Sequence, residues 1–313
     1  MTAETRAHGL APTGQDRRGD RVFGGAVRAA GVTIVVALAA VGVFLVAQSL
    51  PALLADGGEL PGAAPSFLDY VWPLAFGTVW SATLALAIAT PLAVGIALFI
   101  SHYAPRRLAQ GLGYVVDLLA AVPSVVFGLW GILVLAPLVQ PLYAWLVDNL
   151  GWFPLFAGPA SGTGRTVLTA AIVLAVMVLP IMTAICREVF LGTPKLHEEA
   201  ALALGATRWE MVRMAVLPAA RGGIVSAIML GLARALGETM AVAMALSPAL
   251  VIDFALLTPT NPSTIAANIA LQFPEASGIG GNALLATGLV LFVITLVVNI
   301  VARLLVRGRR GNR

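Results

Sequence analysis

The sequence predicts an all-α, polytopic membrane protein with six transmembrane helices. Three observations carry the prediction. The 313 residues are 59% hydrophobic and only 11% charged, against about 25% charged in a soluble domain, and the mean hydropathy is +0.93. Six stretches reach the roughly 20 apolar residues that cross about 30 Å of hydrocarbon at 1.5 Å per residue. They lie near 29–53, 74–100, 112–139, 167–187, 222–247 and 283–306. The basic residues, finally, sort to one side of six such spans: 17 of the 19 Lys and Arg.

Taken in order, residues 1–28 are rich in Arg, Gly and Asp and lack apolar periodicity, as in a flexible tail. The stretch 29–53 is too long for a signal-peptide core and no clear small-residue cleavage site follows its polar start, so it is expected to be a retained helix. Pro91, Pro123 and Pro180 fall inside apolar spans and should kink them. Ser81, Thr83 and Ser124 either bond the preceding helical turn or line a polar path. The outer segments are near 54–73, 140–166 and 248–282. The second carries Tyr143, Trp145, Trp152 and Phe153, which read as an aromatic belt at headgroup level or as a docking surface. Residues 307–313 form a basic tail. Five basic residues lie in the N-terminal tail up to Arg28, Arg106 and Arg107 follow the second span, five lie from Arg187 to Arg221, and five run from Arg303 onward. Positive-inside bias then puts both termini in the cytoplasm. Arg165 stands alone on the outer side, and Arg234 lies inside a span.

Several classes of function are disfavoured. Lys195 is the single lysine and no GxxxxGK[ST] loop is present, so the chain does not cradle ATP itself. No HExxH or CxxC occurs, and His8, His102 and His197 are scattered, so no metal site, cofactor site or catalytic set is assigned. Cys186 is the single cysteine and reads as a small buried residue. The net charge of +4 is juxtamembrane, and no nucleic-acid module is visible.

The longest inward loop, 193–218, reads TPKLHEEAALALGATRWEMVRMAVLP. Thr193-Pro194 is a helix start. KLHEEAALAL holds strong helix formers, and Gly205 is a natural left-handed stop. Thr207 and Glu210 form a capping-box pattern that restarts a helix, which Pro218 should limit before the fifth span. Two short helices bent at Gly205 are expected. Glu198, Glu199, Arg208 and Arg213 supply a polar side; Leu196, Leu202, Trp209 and Val212 supply an apolar one. Such an element suits a lipid surface or a groove on another protein.

This loop resembles the EAA loop of ABC importer permeases, E-A-A-x3-G-x9-I-x-L-P. Glu199, Ala200, Ala201, Gly205, Leu217 and Pro218 match in spacing, and Ala215 stands where the pattern prefers Ile. The stretches 117–137, DLLAAVPSVVFGLWGILVLAP, and 200–244 resemble the permeases of phosphate-specific transport systems, most closely the PstC type. The resemblance spans 70–306. It implies the type I ABC importer permease fold and a coupling loop at 193–218 that docks on an ATPase. It also implies a complex with a PstA-type second permease, two PstB-type ATPase subunits holding ATP and Mg, and an extracytoplasmic PstS-type phosphate-binding protein. The implied location is a bacterial cytoplasmic membrane. Permeases for sulfate, molybdate or phosphonate share the EAA loop. An ion-coupled secondary transporter is the rival that needs no ATPase, and a membrane enzyme would need an acid, base or metal set.

The fifth span contains GLARALGETMAV, with Arg234 and Glu238 four residues apart. A central charge costs roughly 2.5–3.5 kcal/mol on insertion scales. On one helix the two share a face, but Arg before Glu is the weaker order for a helix pair. They read either as a buried structural ion pair or as charged elements of the translocation path. A guanidinium suits phosphate through its planar fork of donors, and Glu238 would weaken the site or swing Arg234. Ala227, Gly231, Ala235, Thr239 and Ala243 recur every four residues, and three or four of them could face one neighbouring helix.

Overall fold

The computed structural model describes residues 16–55 and 58–307. The chain divides into two compact units, residues 1–48 and 49–313. Among the described residues, six helices are long and apolar enough to cross a membrane: Gly19–Leu53, Phe67–Tyr103, Ser124–Leu150, Val167–Leu191, Arg208–Leu236 and Ile279–Ala302.

The first unit holds most of α1 (Asp16–Leu53). Residues 16–28, expected to lack regular structure, continue this helix. Once the apolar stretch is helical, each added residue gains a backbone bond without a new nucleus. Residues 1–15 of the expected tail, and 308–313 of the basic tail, lie outside the described residues.

In the second unit, α2 (Phe67–Leu98) opens at Ser66, whose hydroxyl accepts from the Asp69 amide, and ends in a π turn over Phe99–Tyr103. Its most extensive neighbour is α6 (Val167–Leu191). Ala82, Ala85, Ala89 and Ala93 are fully buried along α2, because small side chains let two membrane helices approach closely. Thr166 caps α6 by accepting from Thr169 N–H. Pro91 and Pro180 lie within α2 and α6 without ending them.

The third span departs from the sequence expectation. Residues 106–120 form a separate helix, α3 (Arg106–Ala120), and the membrane-length stretch runs instead over Ser124–Leu150. That stretch is α4 (Ser124–Trp130), a π turn over Gly131–Leu135 and α5 (Ala136–Leu150). Pro123 divides the two. Its ring disfavours helical geometry at Val122 while its own fixed φ suits the start of a helix.

The loop 193–218 forms α7 (Lys195–Ala203) and α8 (Arg208–Met211). Gly205 adopts φ +84° between them, and Thr207 and Glu210 complete the capping box in both directions. Pro218 does not limit the second helix. A π turn over Val212–Val216 joins α8 directly to α9 (Leu217–Leu236). The Leu217 amide bonds back five residues to Val212, and this wider turn absorbs a proline that would clash with the carbonyl four residues earlier.

Beyond α9 come α10 (Met240–Ala245), the two-residue strands β1 (Pro248–Ala249) and β2 (Asn261–Pro262), α11 (Ile265–Gln272) and α12 (Ile279–Arg307). The strands pair in parallel, Pro248 with Asn261 and Ala249 with Pro262, a small exception to an otherwise helical fold. Gly77 lets α2 meet the backbone of Pro262 and Ser263, where a Cβ would overlap the Ser263 carbonyl. The Thr78 hydroxyl accepts from Ile265 N–H at 2.9 Å, and Asn268 donates to the Tyr70 hydroxyl at 2.7 Å.

Candidate functional site

The fifth span is broken. α9 stops at Leu236, Gly237 to Thr239 are not helical, and α10 restarts at Met240. The expected single helix over 222–247, with Arg234 and Glu238 on one face, is therefore not what forms. Glycine is the commonest residue at a helix stop, and here Gly237 N–H closes the last turn on the Ala233 carbonyl at 3.4 Å.

Glu238 is 9% exposed. Its Oε1 accepts from Ala241 N–H at 3.1 Å. A carboxylate there satisfies one orphan amide of α10 and meets the positive end of the helix dipole. It forms no ion pair with Arg234. Among the described residues the one contact within 4.0 Å between a basic and an acidic side chain joins His102 and Glu198. Arg234 is exposed in the last turn of α9.

The other end of α10 is held by Arg165. Arg165 Nη2 donates to the carbonyls of Ala243, at 3.3 Å, and Leu246. Asn261 braces the same corner: its Oδ1 accepts from Val167 N–H at 2.9 Å, and its Nδ2 donates to the Arg165 carbonyl at 3.2 Å. Arg165 thus holds the end of a six-residue helix too short to be stable alone, and Asn261 holds the Arg165 backbone. Arg165→Ala is expected to destabilise the fold by about 1–3 kcal/mol through the orphaned carbonyls, read as a lower melting temperature of the purified chain. An unchanged melting temperature would show that α10 does not depend on this cap.

Gly128 of α4 packs on α10, and a Cβ there would stand 2.9 Å from Ala241 Cα and from Met244 Sδ. Of the small-residue row, Ala227, Gly231 and Ala235 are buried on α9, and a Cβ on Gly231 would stand 2.7 Å from Met182 Sδ of α6. Thr239 falls in the break and Ala243 beyond it, so both leave the row.

Around the loop 193–218 lies an open groove of about 770 Å³, lined by Ala200, Ala201, Gly205 and Pro218 together with Leu204 and Met214. Four of the six motif residues thus converge on it. Glu199 is exposed beside it, and Leu217 packs against the core with Val212. Val212 is fully buried, so it belongs to the chain's own core rather than to an outer apolar face; Leu196, Leu204 and Trp209 are exposed at 73%, 90% and 57%. His102, in the π turn after α2, places Nε2 3.5 Å from Glu198 Oε1 of α7, while its Nδ1 lies 2.7 Å from Ser101 Oγ. That contact ties α7 to the end of α2 and is not foreshadowed by sequence spacing. Of the aromatics at 143–153, Tyr143 is buried against Thr169, hydroxyl to hydroxyl at 3.0 Å. It is a core residue, whereas Trp145 and Trp152 are exposed.

Comparison with known proteins agrees with this architecture. The profile of the family described as "Binding-protein-dependent transport system inner membrane component" matches residues 89–311. The chain is 48% identical over 305 residues to the phosphate transport system permease protein PstC 2 of Mycobacterium tuberculosis, covering 94% of this chain and 93% of that one. It is 45% identical over 278 residues to the PstC protein of Mycobacterium leprae, covering 85% and 86%. Among solved structures, a bacterial ABC transporter involved in alginate import aligns with a TM-score of 0.59 at 15% identity, over 96% of this chain and 99% of that one. The MetNI methionine ABC transporter in an inward-facing conformation aligns with a TM-score of 0.51 at 19% identity, over 76% and 93%. The latter two establish the ABC importer permease fold. The chain belongs to the family of binding-protein-dependent transport system inner membrane components, and within it to the PstC-type permeases.

Proposed function

We propose that this chain is the membrane-spanning permease subunit of an ATP-driven importer of inorganic phosphate. The observation that carries the reading is near-full-length identity of 48% to PstC-type phosphate permeases. The exposed, unpaired guanidinium at the broken fifth span accords with an anionic cargo. Arg234 offers its planar fork of donors to phosphate on the translocation path. Glu238 holds the break by capping α10. Glu199, Ala200, Ala201, Gly205, Leu217 and Pro218 belong to the loop, 193–218, that receives a separate ATPase, and the groove beside α7 suits a docked element of that partner. The permease domain is 70–306. Its partners are a PstA-type permease, two PstB-type ATPase subunits that bind ATP and Mg, and a PstS-type binding protein outside. Both termini face the cytoplasm of a bacterium, on the basic-residue bias.

Nucleotide binding on one side and loaded binding protein on the other then bias inward-open and outward-open states. The test is uptake of labelled phosphate at micromolar concentration in cells lacking the chain, with and without its restoration. Restored uptake that excess sulfate leaves unchanged is expected. Failure to restore uptake with the partner subunits present would remove phosphate as the cargo; inhibition by sulfate would widen it to other oxyanions.

A further inference from the structure

A second cavity, of about 410 Å³, opens between α3 and the ends of α2 and α6 that adjoin the inward loop. It shares no lining residue with the groove beside α7. Arg106, the first residue of α3, and Arg187, near the end of α6, both line it, together with Gln110, Ser101, Tyr114 and Asp117. Arg187 reaches it by lying across the α3 backbone at Gly113, where a Cβ would overlap Nη1. The glycine is thus a seat for the guanidinium. Arg187 Nε is shielded from solvent and has no hydrogen-bond partner among the described residues. Asp117 shares the cavity but lies beyond 4.0 Å ion-pair reach of either arginine, since the sole such pair among the described residues is elsewhere.

Two guanidiniums and one carboxylate leave a single net positive charge, matched to a monoanion. Two converging planar donor sets favour a phosphate oxyanion over a point-like anion. The rim is apolar: Tyr114 and Leu191 line the cavity, and both are exposed, as is Leu118 on α3, at 72%, 58% and 71%. A basic pocket between helices with an apolar rim is the arrangement that takes a phospholipid headgroup.

We infer that this cavity binds a phosphate oxyanion carried by an anionic phospholipid headgroup, with free orthophosphate as the alternative source of the same chemistry. The lining includes neither Arg234 nor Glu238, and the inference does not depend on the identity of the cargo. It is tested on the full chain by native mass spectrometry of bound phosphatidylglycerol against phosphatidylcholine, and in parallel by the melting-temperature shift with inorganic phosphate. Three variants are compared with the native chain: Arg106→Gln with Arg187→Gln, Gly113→Leu, which keeps every charge but unseats Arg187, and Arg221→Gln, which removes an exposed charge elsewhere. Phosphatidylglycerol is expected to bind preferentially, with affinity about tenfold to a hundredfold weaker in the first two variants and unchanged in the third. A phosphate-induced shift that is lost in the same two variants would instead assign the site to free orthophosphate. The inference is overturned if neither probe binds preferentially, or if the double arginine variant binds as tightly as the native chain. Should Gly113→Leu fail to fold, the double variant still decides. An equal loss in Arg221→Gln would reduce the effect to general surface charge and overturn the site.

Discussion

Replacing Arg234 by glutamine is expected to lower phosphate uptake by about tenfold to a hundredfold while the chain still reaches the membrane and assembles. The estimate is the worth of one charge-assisted hydrogen-bonded contact, about 1.5–3 kcal/mol. Assembly is expected to survive because Arg234 is exposed and holds no carboxylate or carbonyl in place. Glu238 should behave differently. Its carboxylate caps α10 from a buried position, so Glu238→Ala should cost about 0.5–2 kcal/mol of stability, whereas Glu238→Gln keeps an oxygen acceptor and should cost less. An ion-pair partner of Arg234 would show the reverse: glutamine as harmful as alanine. Labelled-phosphate uptake and thermal melting of the four proteins separate the two roles. Normal uptake by an assembled Arg234→Gln protein would remove that residue from the path.

Gly205→Val is expected to uncouple ATP hydrolysis from transport, with uptake largely lost and ATPase activity in the assembled complex no longer raised by loaded binding protein. Gly205 sits at φ +84° between α7 and the capping box. A Cβ there meets nothing within 4 Å, so the cost is purely conformational. It is roughly 1–2 kcal/mol for an L residue in the left-handed region, and more for a β-branched one. The only way to relieve it is to change the angle between α7 and the helix that becomes α9, and α7 carries three of the motif residues. Gly205→Asn is the control, since asparagine tolerates this region and commonly ends helices in it. Normal coupling in Gly205→Val would show that the bend transmits nothing.

The amino-acid sequence by itself determined the features that rest on local, repeated or length-based signals. Six apolar stretches are visible because each must be about 20 residues long to cross hydrocarbon. The α7–α8 bend was legible because Gly205 and the Thr207–Glu210 box act within four residues of their own positions. The EAA motif was legible for the same reason. What escaped was what depends on distant partners. Leu-Gly-Glu-Thr at 236–239 carries a helix stop, but glycine is frequent inside membrane helices, so the apolar run masks it. The far end of the restarted helix is met by Arg165, which satisfies carbonyls about eighty positions away, while Asn261 braces the start of α6. The same holds for Glu238. Four residues from Arg234 it looks like its partner, and only the break shows that α10 consumes the carboxylate. Arg187 against Gly113, and His102 against Glu198, are likewise invisible until α2, α3, α6 and α7 come together. Local backbone preference sets where helices can begin and end. In a medium that leaves no polar group to water, tertiary contacts decide which of those ends are kept.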